Sequence, residues 1–527
     1  MATIHNPVLR GFNPDPSIVR VGEDYYLATS TFEYHPAVRI HHSRDLVNWT
    51  VLGHALTEGF DLRGVPDSGG VWAPSLSHAD GRFWLAYSIV RTMDGDDKDI
   101  DNYLVTADSI TGPWSAPVHL GSRGFDFSFF HDVDGTHWII GVQWDHRPEH
   151  PSFSGLAIEQ YFPDEQRVSG EATTIYQEDV LVEGPNLYRI GDEYVLTIAS
   201  GGTGWNHSIT TARSRALTGP YARDPLPAML TGRDAPGAPL QKAGHGELVQ
   251  TPHGEWMLAH LASRPTLHLG ERYCTLGRET SIQAVVFEDG WLRLRDGGHH
   301  AALDVAVQTT PVPAEDSAPS DDGGSWTEGF AGDRVDSRRW STLRVAPAPD
   351  VFDLRARPGS LRLRGGHSTA SVFEQSMLLT RVQEHRTTFE AVIDAAPRTA
   401  REATGIIAWY DRQGWIWMQQ SWDEAAGGSI RIVARDGART TRSAAVPVPD
   451  GPLRLRAHLD GATLTFAWAT TTGEWNAVDG EYPAWTLSDD HGPRLRFTGM
   501  FFGVRAEDLD GRGWTADVLS TSLRARA

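Results

Sequence analysis

Three carboxylates in the first two hundred residues stand in settings suited to proton chemistry. Asp15 lies in Phe12-Asn13-Pro14-Asp15-Pro16-Ser17. The prolines fix their own φ and push the residues before them toward extended backbone, so a short, stiff carboxylate would be aimed rather than left free. Glu183 closes the apolar run Val180-Leu181-Val182 just before Gly184-Pro185. Burial there would raise its pKa and keep it protonated near neutrality, as a general acid needs. Asp126, between Phe125 and Phe127, could orient that acid and hold up its pKa. Two carboxylates with room for a water between them describe inverting hydrolysis of a glycosidic bond. Each acid also has a plainer reading: a polar turn at Asp15, a solvated strand end at Glu183, a hydrogen-bond anchor at Asp126.

Aromatic residues would complete such a site, since a sugar packs its C–H face on rings while its hydroxyls take hydrogen bonds. Trp72, in Gly69-Gly70-Val71-Trp72-Ala73-Pro74, is the first choice as a platform. Phe32 and Trp144 are further choices, although an aromatic is more often core than platform. Other chemistries lack their motifs. There is no His-Glu-x-x-His, no EF-hand loop, no serine nucleophile elbow, and no lysine of the phosphate-loop type after Gly201-Gly202-Thr203-Gly204. The adjacent pairs His41-His42 and His299-His300 read as pointing to opposite sides of a strand, so no metal cluster is expected from the 22 histidines. One cysteine, Cys274, excludes an internal disulfide and a cysteine-based zinc site.

The elements that must position these residues show as repeats. Glu23-Asp24-Tyr25-Tyr26-Leu27, Asp80-Gly81-Arg82-Phe83-Trp84-Leu85 and Asp134-Gly135-Thr136-His137-Trp138-Ile139 share one pattern. Gly191-Asp192-Glu193-Tyr194-Val195-Leu196 and His253-Gly254-Glu255-Trp256-Met257-Leu258 continue it. Each is a turn followed by a short aromatic and aliphatic run, a hairpin entering a buried strand. Tyr26, Trp84, Trp138, Val195 and Met257 recur at spacings of 58, 54, 57 and 62. Five such units predict an all-β, five-bladed β-propeller, with a β-sandwich bearing coincidental hairpins as the competing fold. The register matters more than the count. Twelve residues before Trp84, Trp138, Val195 and Met257 stand Trp72, Asp126, Glu183 and His245; eleven before Tyr26 stands Asp15. Three acids, a tryptophan and a histidine would then converge on one axis, a costly arrangement without a function. His245 could bind substrate, hold an axial water or help hold a cation.

The 527 residues carry 47 basic and 68 acidic side chains, a net charge of −21. Such a chain repels phosphate backbones and anionic lipid, so nucleic-acid and membrane partners are not expected. The N-terminus has neither a basic nor an apolar leader pattern, and no run of about 18 apolar residues occurs. The expected location is the cytoplasm. The catalytic unit is placed at residues 1–305. A Pro-, Ser- and acid-rich linker follows at 306–324. Alternating segments such as Ser360-Leu361-Arg362-Leu363-Arg364 and Ser429-Ile430-Arg431-Ile432-Val433 predict an antiparallel β-sandwich (jelly-roll, concanavalin-like) at 325–527.

Taken together, the chain resembles glycoside hydrolase family 43, specifically the β-xylosidases with a C-terminal sandwich. The resemblance rests on Asn13-Pro14-Asp15-Pro16-Ser17, Ser30-Thr31-Phe32-Glu33, Gly70-Val71-Trp72-Ala73-Pro74, Phe125-Asp126-Phe127-Ser128, Glu183-Gly184-Pro185 and Leu276-Gly277-Arg278-Glu279-Thr280. It implies Asp15 as general base, Glu183 as general acid and Asp126 as the residue that sets the acid's pKa and orientation. It adds Arg278 as a hydrogen-bonding substrate residue, for which a structural ion pair is the other reading. Phe32, Trp72, Trp144 and Thr203 become pocket walls. A sandwich loop matching Phe497-Thr498-Gly499-Met500-Phe501-Phe502 would close the pocket, with Phe501 placed at it and ordinary sandwich core as its alternative. The implied activity is an inverting exo-β-1,4-xylosidase acting on the non-reducing end of xylo-oligosaccharides. α-L-Arabinofuranosidase activity, alone or alongside, and a non-catalytic sugar-binding propeller are the alternatives. No cofactor is implied as required, calcium is used by some relatives, and a homo-oligomer, often a tetramer, is expected. Trp205-Asn206-His207 departs from the pattern, which leaves fine substrate preference open.

Overall fold

The computed structural model describes residues 1–526 except 94, 310, 311, 313–324, 494 and 495. Most of the expected linker therefore lies outside the described residues. The first three hundred residues form five antiparallel sheets of four or five strands, besides a two-stranded hairpin at Thr266–His268 and Glu271–Tyr273. Blade 1 comprises Ser17–Val21, Asp24–Thr29, Ala37–Ser43 and Thr50–Leu56. Blades 2 to 5 begin with Ser75–Ala79, Ser128–His131, Val182–Ile190 and Gln241–Gln250. These five inner strands pack against one another in a closed ring, the last against the first. The repeated aromatic runs are the second strands. Tyr26, Trp84, Trp138, Val195 and Met257 lie in Asp24–Thr29, Arg82–Val90, His137–Trp144, Glu193–Ser200 and Trp256–Ser263. Their alternation buries one side against each neighbouring blade, which is why the pattern is legible.

Ala2–His5 pairs antiparallel with Asp304–Val307. This second strand carries the propeller two residues past the boundary placed at 305. The pairing joins the ends of the unit, so the ring does not rest on blade-to-blade packing alone.

The C-terminal unit is two antiparallel sheets. One is built around Arg386–Asp394, Leu453–Asp460 and Thr515–Arg526; the other around Met377–Arg381, Glu402–Asp411, Gly414–Asp423 and Phe501–Asp508. The second sheet is apolar on both faces. Leu378, Ile406, Ala408, Phe502 and Val504 belong to the sandwich core, while Leu379, Ile407, Trp409 and Phe501 belong to a cluster shared with Phe12, Phe32 and Tyr34 of the propeller. A strand buried on both sides reads as a continuous apolar run, as in Gly405-Ile406-Ile407-Ala408-Trp409. The two units thus share a packed seam, crossed by Tyr34–His35 pairing with Thr342–Leu343.

Charge pairs flank that seam. Lys242 Nζ donates to Asp489 at 2.9 Å and Asp490 at 2.6 Å. Arg264 bonds Glu279 at 2.8 Å and Glu384 at 2.9 Å. Asp67 takes Arg344 and Arg412, each at 3.0 Å. Gly277 marks a close backbone approach: its φ is +78°, and a Cβ there would lie 2.4 Å from the Thr498 carbonyl oxygen.

Candidate active site

All five register positions meet at one end of the propeller axis. Asp15, Trp72, Asp126, Glu183 and His245 line a single pocket together with Phe32, Ala73, Phe125, Thr203, His207, Arg278 and Phe497. Asp15, Trp72 and Asp126 lie just before an inner strand, Glu183 lies at the start of one, and His245 lies at an irregularity in the middle of one. All five side chains reach one volume because the inner strands surround it.

Asp15 is not extended, as its flanking prolines suggested, but left-handed at φ +53°. Asp tolerates this region better than most residues, and the surroundings fix it. Asn13 N–H donates to the Arg278 carbonyl at 3.0 Å, and Ser30 N–H to the Pro14 carbonyl at 3.2 Å. Both carboxylate oxygens are occupied. Oδ2 accepts from Ser30 Oγ at 2.6 Å, and Oδ1 from an Arg278 guanidinium nitrogen at 2.9 Å. His245 Nδ1 stands 3.7 Å from Oδ1. Asp126 and His245 are also left-handed, at φ +55° and +44°.

Arg278 is buried, its guanidinium within 6 Å of the Phe32 and Phe497 rings (5.4 and 5.6 Å). It also donates to Thr203 Oγ1 at 3.2 Å and to the Phe497 carbonyl at 2.9 Å. It therefore ties the base candidate, a pocket wall and the sandwich together. The ion pair and the pocket position, alternatives in the sequence, coexist.

Burial pushes the Glu183 carboxyl up to about 7, with Asp15 adding to the shift and Arg278 opposing it. Asp126 is pushed well above the carboxylate range by burial and then by Glu183 and Asp15, although Gly184 N–H donates to it at 3.0 Å. Burial lowers the His245 imidazole, with Asp15 working against the shift and Arg278 with it. A single arginine faces three acids here, and it contacts only one of them. The arginine pairs with Asp15, while burial favours the protonated form of Glu183 and Asp126. Gly184 is required between them: at φ +52°, a Cβ would lie 2.9 Å from the His245 ring.

Two of the expected pocket residues lie elsewhere. Phe501 does not face the pocket. It opens the strand Phe501–Asp508, is fully buried, and stacks on Tyr34 at 4.3 Å and against Phe12 at 5.8 Å. Phe497, four residues earlier in the same segment, is the side chain that reaches the pocket. Strand pairing with Met377–Arg381 holds Phe501 in the seam, whereas Phe497 precedes the strand and follows Arg496, which is clamped by Asp411 at 2.8 Å. Trp144 also falls outside the lining. It packs behind Phe125 at 6.1 Å and on Phe153 at 5.0 Å, with its Nε1 donating to the Asp96 carbonyl at 2.8 Å.

Phe125, Ala73 and His207 line the pocket without having been singled out. His207 had a signal, the departure at Trp205-Asn206-His207, but nothing in that segment showed which way the ring would turn. Its ring sits over Gly244, where a Cβ would lie 2.3 Å away. Nδ1 is 3.0 Å from the Lys242 carbonyl, which fixes Nδ1 as the protonated nitrogen. Burial drives its pKa down to about 3, so it remains neutral.

Ser68, absent from the sequence candidates, brackets the pocket roof. Its N–H donates to Glu33 Oε2 at 3.1 Å, its hydroxyl accepts from Phe497 N–H at 3.0 Å, and its carbonyl accepts from Trp72 Nε1 at 3.0 Å. Ser68→Ala is expected to raise KM by about 3- to 10-fold with kcat little changed, because one hydrogen bond is worth about 0.5–1.5 kcal/mol. Measured beside Phe497→Ala and the double variant, it should add nothing once Phe497 is gone. Additive losses would mean that Ser68 does not act through Phe497.

Among the described residues, two groups of three potential metal ligands converge: Asp234 with His299 and His300, and Cys274 with Asp489 and Asp490. Neither includes the axial His245. The second already has its cation in Lys242. No helix among the described residues is long and apolar enough to cross a membrane.

The family model described as "Glycosyl hydrolases family 43" matches residues 4–292, and "Beta xylosidase C-terminal Concanavalin A-like domain" matches 328–521. A β-xylosidase of Bacillus subtilis is 38% identical, with 98% of each chain covered. Xylosidase/arabinosidase 43B of Humicola insolens is 40% identical over 97% of this chain and 96% of that one. The crystal structure of a xylan β-1,4-xylosidase from Bacillus halodurans superimposes with a TM-score of 0.95 at 40% identity, covering 99% of this chain and all of the other.

Proposed function

The chain belongs to glycoside hydrolase family 43, and from that premise we propose that it is an inverting β-xylosidase releasing xylose from the non-reducing end of β-1,4-linked xylo-oligosaccharides. The observation that carries the reading is the convergence of Asp15, Asp126 and Glu183 on one pocket, each with different partners. Asp15 is held by Arg278 and Ser30 as a hydrogen-bond acceptor, while burial keeps a proton on Glu183 up to about pH 7.

In this mechanism Glu183 protonates the glycosidic oxygen as it leaves. Asp15 removes a proton from a water that attacks the anomeric carbon from the opposite face, and the configuration inverts. Asp126 is a positioning residue that holds the backbone at Gly184, next to Glu183. Arg278 and Thr203 offer hydrogen bonds to sugar hydroxyls, and Trp72, Phe32 and Phe497 pack on the ring. The sandwich-borne Phe497 over a propeller-borne pocket favours a chain end over a mid-chain segment, hence exo action. Both proton transfers are carboxylate chemistry and call for no cofactor. Homo-oligomerisation and action in the cytoplasm on short imported oligosaccharides are part of the same reading.

The test is the anomer formed first. Xylobiose mixed with the protein and followed by NMR from the earliest times should give α-xylose ahead of mutarotation. β-Xylose appearing first would overturn the roles of Asp15 and Glu183, and absence of cleavage would overturn the substrate. A second reading, α-L-arabinofuranosidase activity alongside, is favoured by the similarity to the Humicola insolens xylosidase/arabinosidase. Relative kcat/KM on aryl xylosides and aryl arabinofuranosides separates the two.

A further inference from the structure

The pair His299-His300 does not behave as the sequence suggested. The two residues follow Gly297 and Gly298, both left-handed at φ +83° and +72°, in a bend rather than a strand. Strand alternation therefore does not apply, and both rings turn toward one carboxylate. His299 Nε2 lies 2.8 Å from Asp234 Oδ2, and His300 Nε2 lies 2.8 Å from Oδ1. The ring centroids are 4.4 Å apart at an interplanar angle of 69°. Asp234 follows the outer strand Leu230–Thr231 of blade 4, and the histidines follow Trp291–Leu294 of blade 5. A backbone bond from Thr231 N–H to the His299 carbonyl, 2.8 Å, already fastens the two segments. The side chains are 40–54% exposed, so the group opens to solvent.

We propose that Asp234, His299 and His300 form a surface site for a divalent cation of the imidazole-preferring class, with zinc as the test ion. Two neutral imidazole nitrogens and one carboxylate oxygen are a donor set that suits such ions, with water completing the shell. The ligating atoms all lie within 4.8 Å of one another. Metal–ligand bonds of about 2.0–2.2 Å require each nitrogen–oxygen separation to widen by roughly half an ångström. Exposed side chains on a glycine bend allow that shift. In the metal-free protein the Nε2–H of each ring donates to Asp234; on binding that proton passes to water while Nδ1 takes one up, so each ring presents its Nε2 lone pair to the ion. None of the three residues lines the catalytic pocket. The ion would staple the seam between blades 4 and 5 and take no part in the chemistry.

The experiment uses tag-free protein, stripped with a chelator, desalted and titrated with zinc sulfate by calorimetry, with bound metal counted after dialysis. The wild type should take up one zinc per chain at this site. The double variant His299→Ala/His300→Ala should lose more than about 100-fold in affinity, beyond the 10- to 100-fold that losing an outer partner costs. Xylosidase activity should be unchanged in both. Asp234→Asn, nearly isosteric, serves should the double variant not fold, and it too should lose affinity. A wild type that binds no zinc up to millimolar concentration overturns the proposal. So do variants that keep wild-type stoichiometry and affinity.

Discussion

Asp15→Asn is expected to lower kcat/KM by about 10²- to 10⁴-fold, the span that a positioned acid or base supplies, on every substrate. The amide oxygen can still accept from Ser30 or Arg278, so the left-handed turn and the pocket should survive. What disappears is a basic oxygen to take the proton of water. Water attack is needed whatever the leaving group, so xylobiose and an activated dinitrophenyl xyloside should suffer alike. The two kcat/KM values, measured beside a circular dichroism spectrum showing an intact fold, test this. A variant that keeps wild-type turnover on either substrate removes Asp15 as the base.

Glu183→Gln should separate those two substrates. Xylobiose, whose leaving oxygen needs a proton, should lose up to about 10⁴-fold. The dinitrophenyl xyloside leaves without help and should be nearly spared. Equal losses on both would sink the general-acid role. The pH profile carries the same signature. With its carboxyl held up to about 7 by burial, Glu183 is protonated below that value. Wild-type kcat/KM should therefore fall as pH rises through about 7, and the variant on the activated substrate should lack that limb.

Stability gives an independent reading of the same group. Glu183 is shifted from 4.5 to about 7, so between those values the folded chain binds a proton that the unfolded chain does not. By linkage its contribution is fully present below about 4.5 and lost as pH rises through about 7. The glutamine variant does not titrate. Its melting temperature relative to wild type should therefore be higher at pH 8 than at pH 5. An identical difference at both pH values would mean that the raised carboxyl is not Glu183.

The five blades were readable because each second strand alternates in and out of a shared core, leaving a period-two pattern and a turn at fixed spacing. The same spacing carried the site. Counting back from Tyr26, Trp84, Trp138, Val195 and Met257 reached five residues that line one pocket, because a propeller turns equal sequence offsets into convergence on its axis. The sandwich strands, such as Leu361–Arg364, followed from the same alternation.

Other features depended on residues hundreds of positions apart. Nothing near Phe497 and Phe501 shows which one faces the sugar pocket; the pairing of Phe501–Asp508 with Met377–Arg381 decides it. Trp144 could be platform or core until Phe125 took the place in front of it. The proline pair around Asp15 argued for extended backbone, and hydrogen bonds reaching Arg278 and Ser30 made it left-handed instead. Ser68 is an ordinary serine until Glu33, Trp72 and Phe497 meet on it. His299 and His300 turned to one side because two glycines replaced the strand with a bend. Local sequence thus determined which residue types and periods were available: the strands, the blade count and the acids that share an axis. Tertiary structure decided backbone conformation where long-range hydrogen bonds outweigh local preference. It also decided the assignment of seam aromatics, because a sheet apolar on both faces presents two equally buried sides and only the partner across the seam distinguishes them.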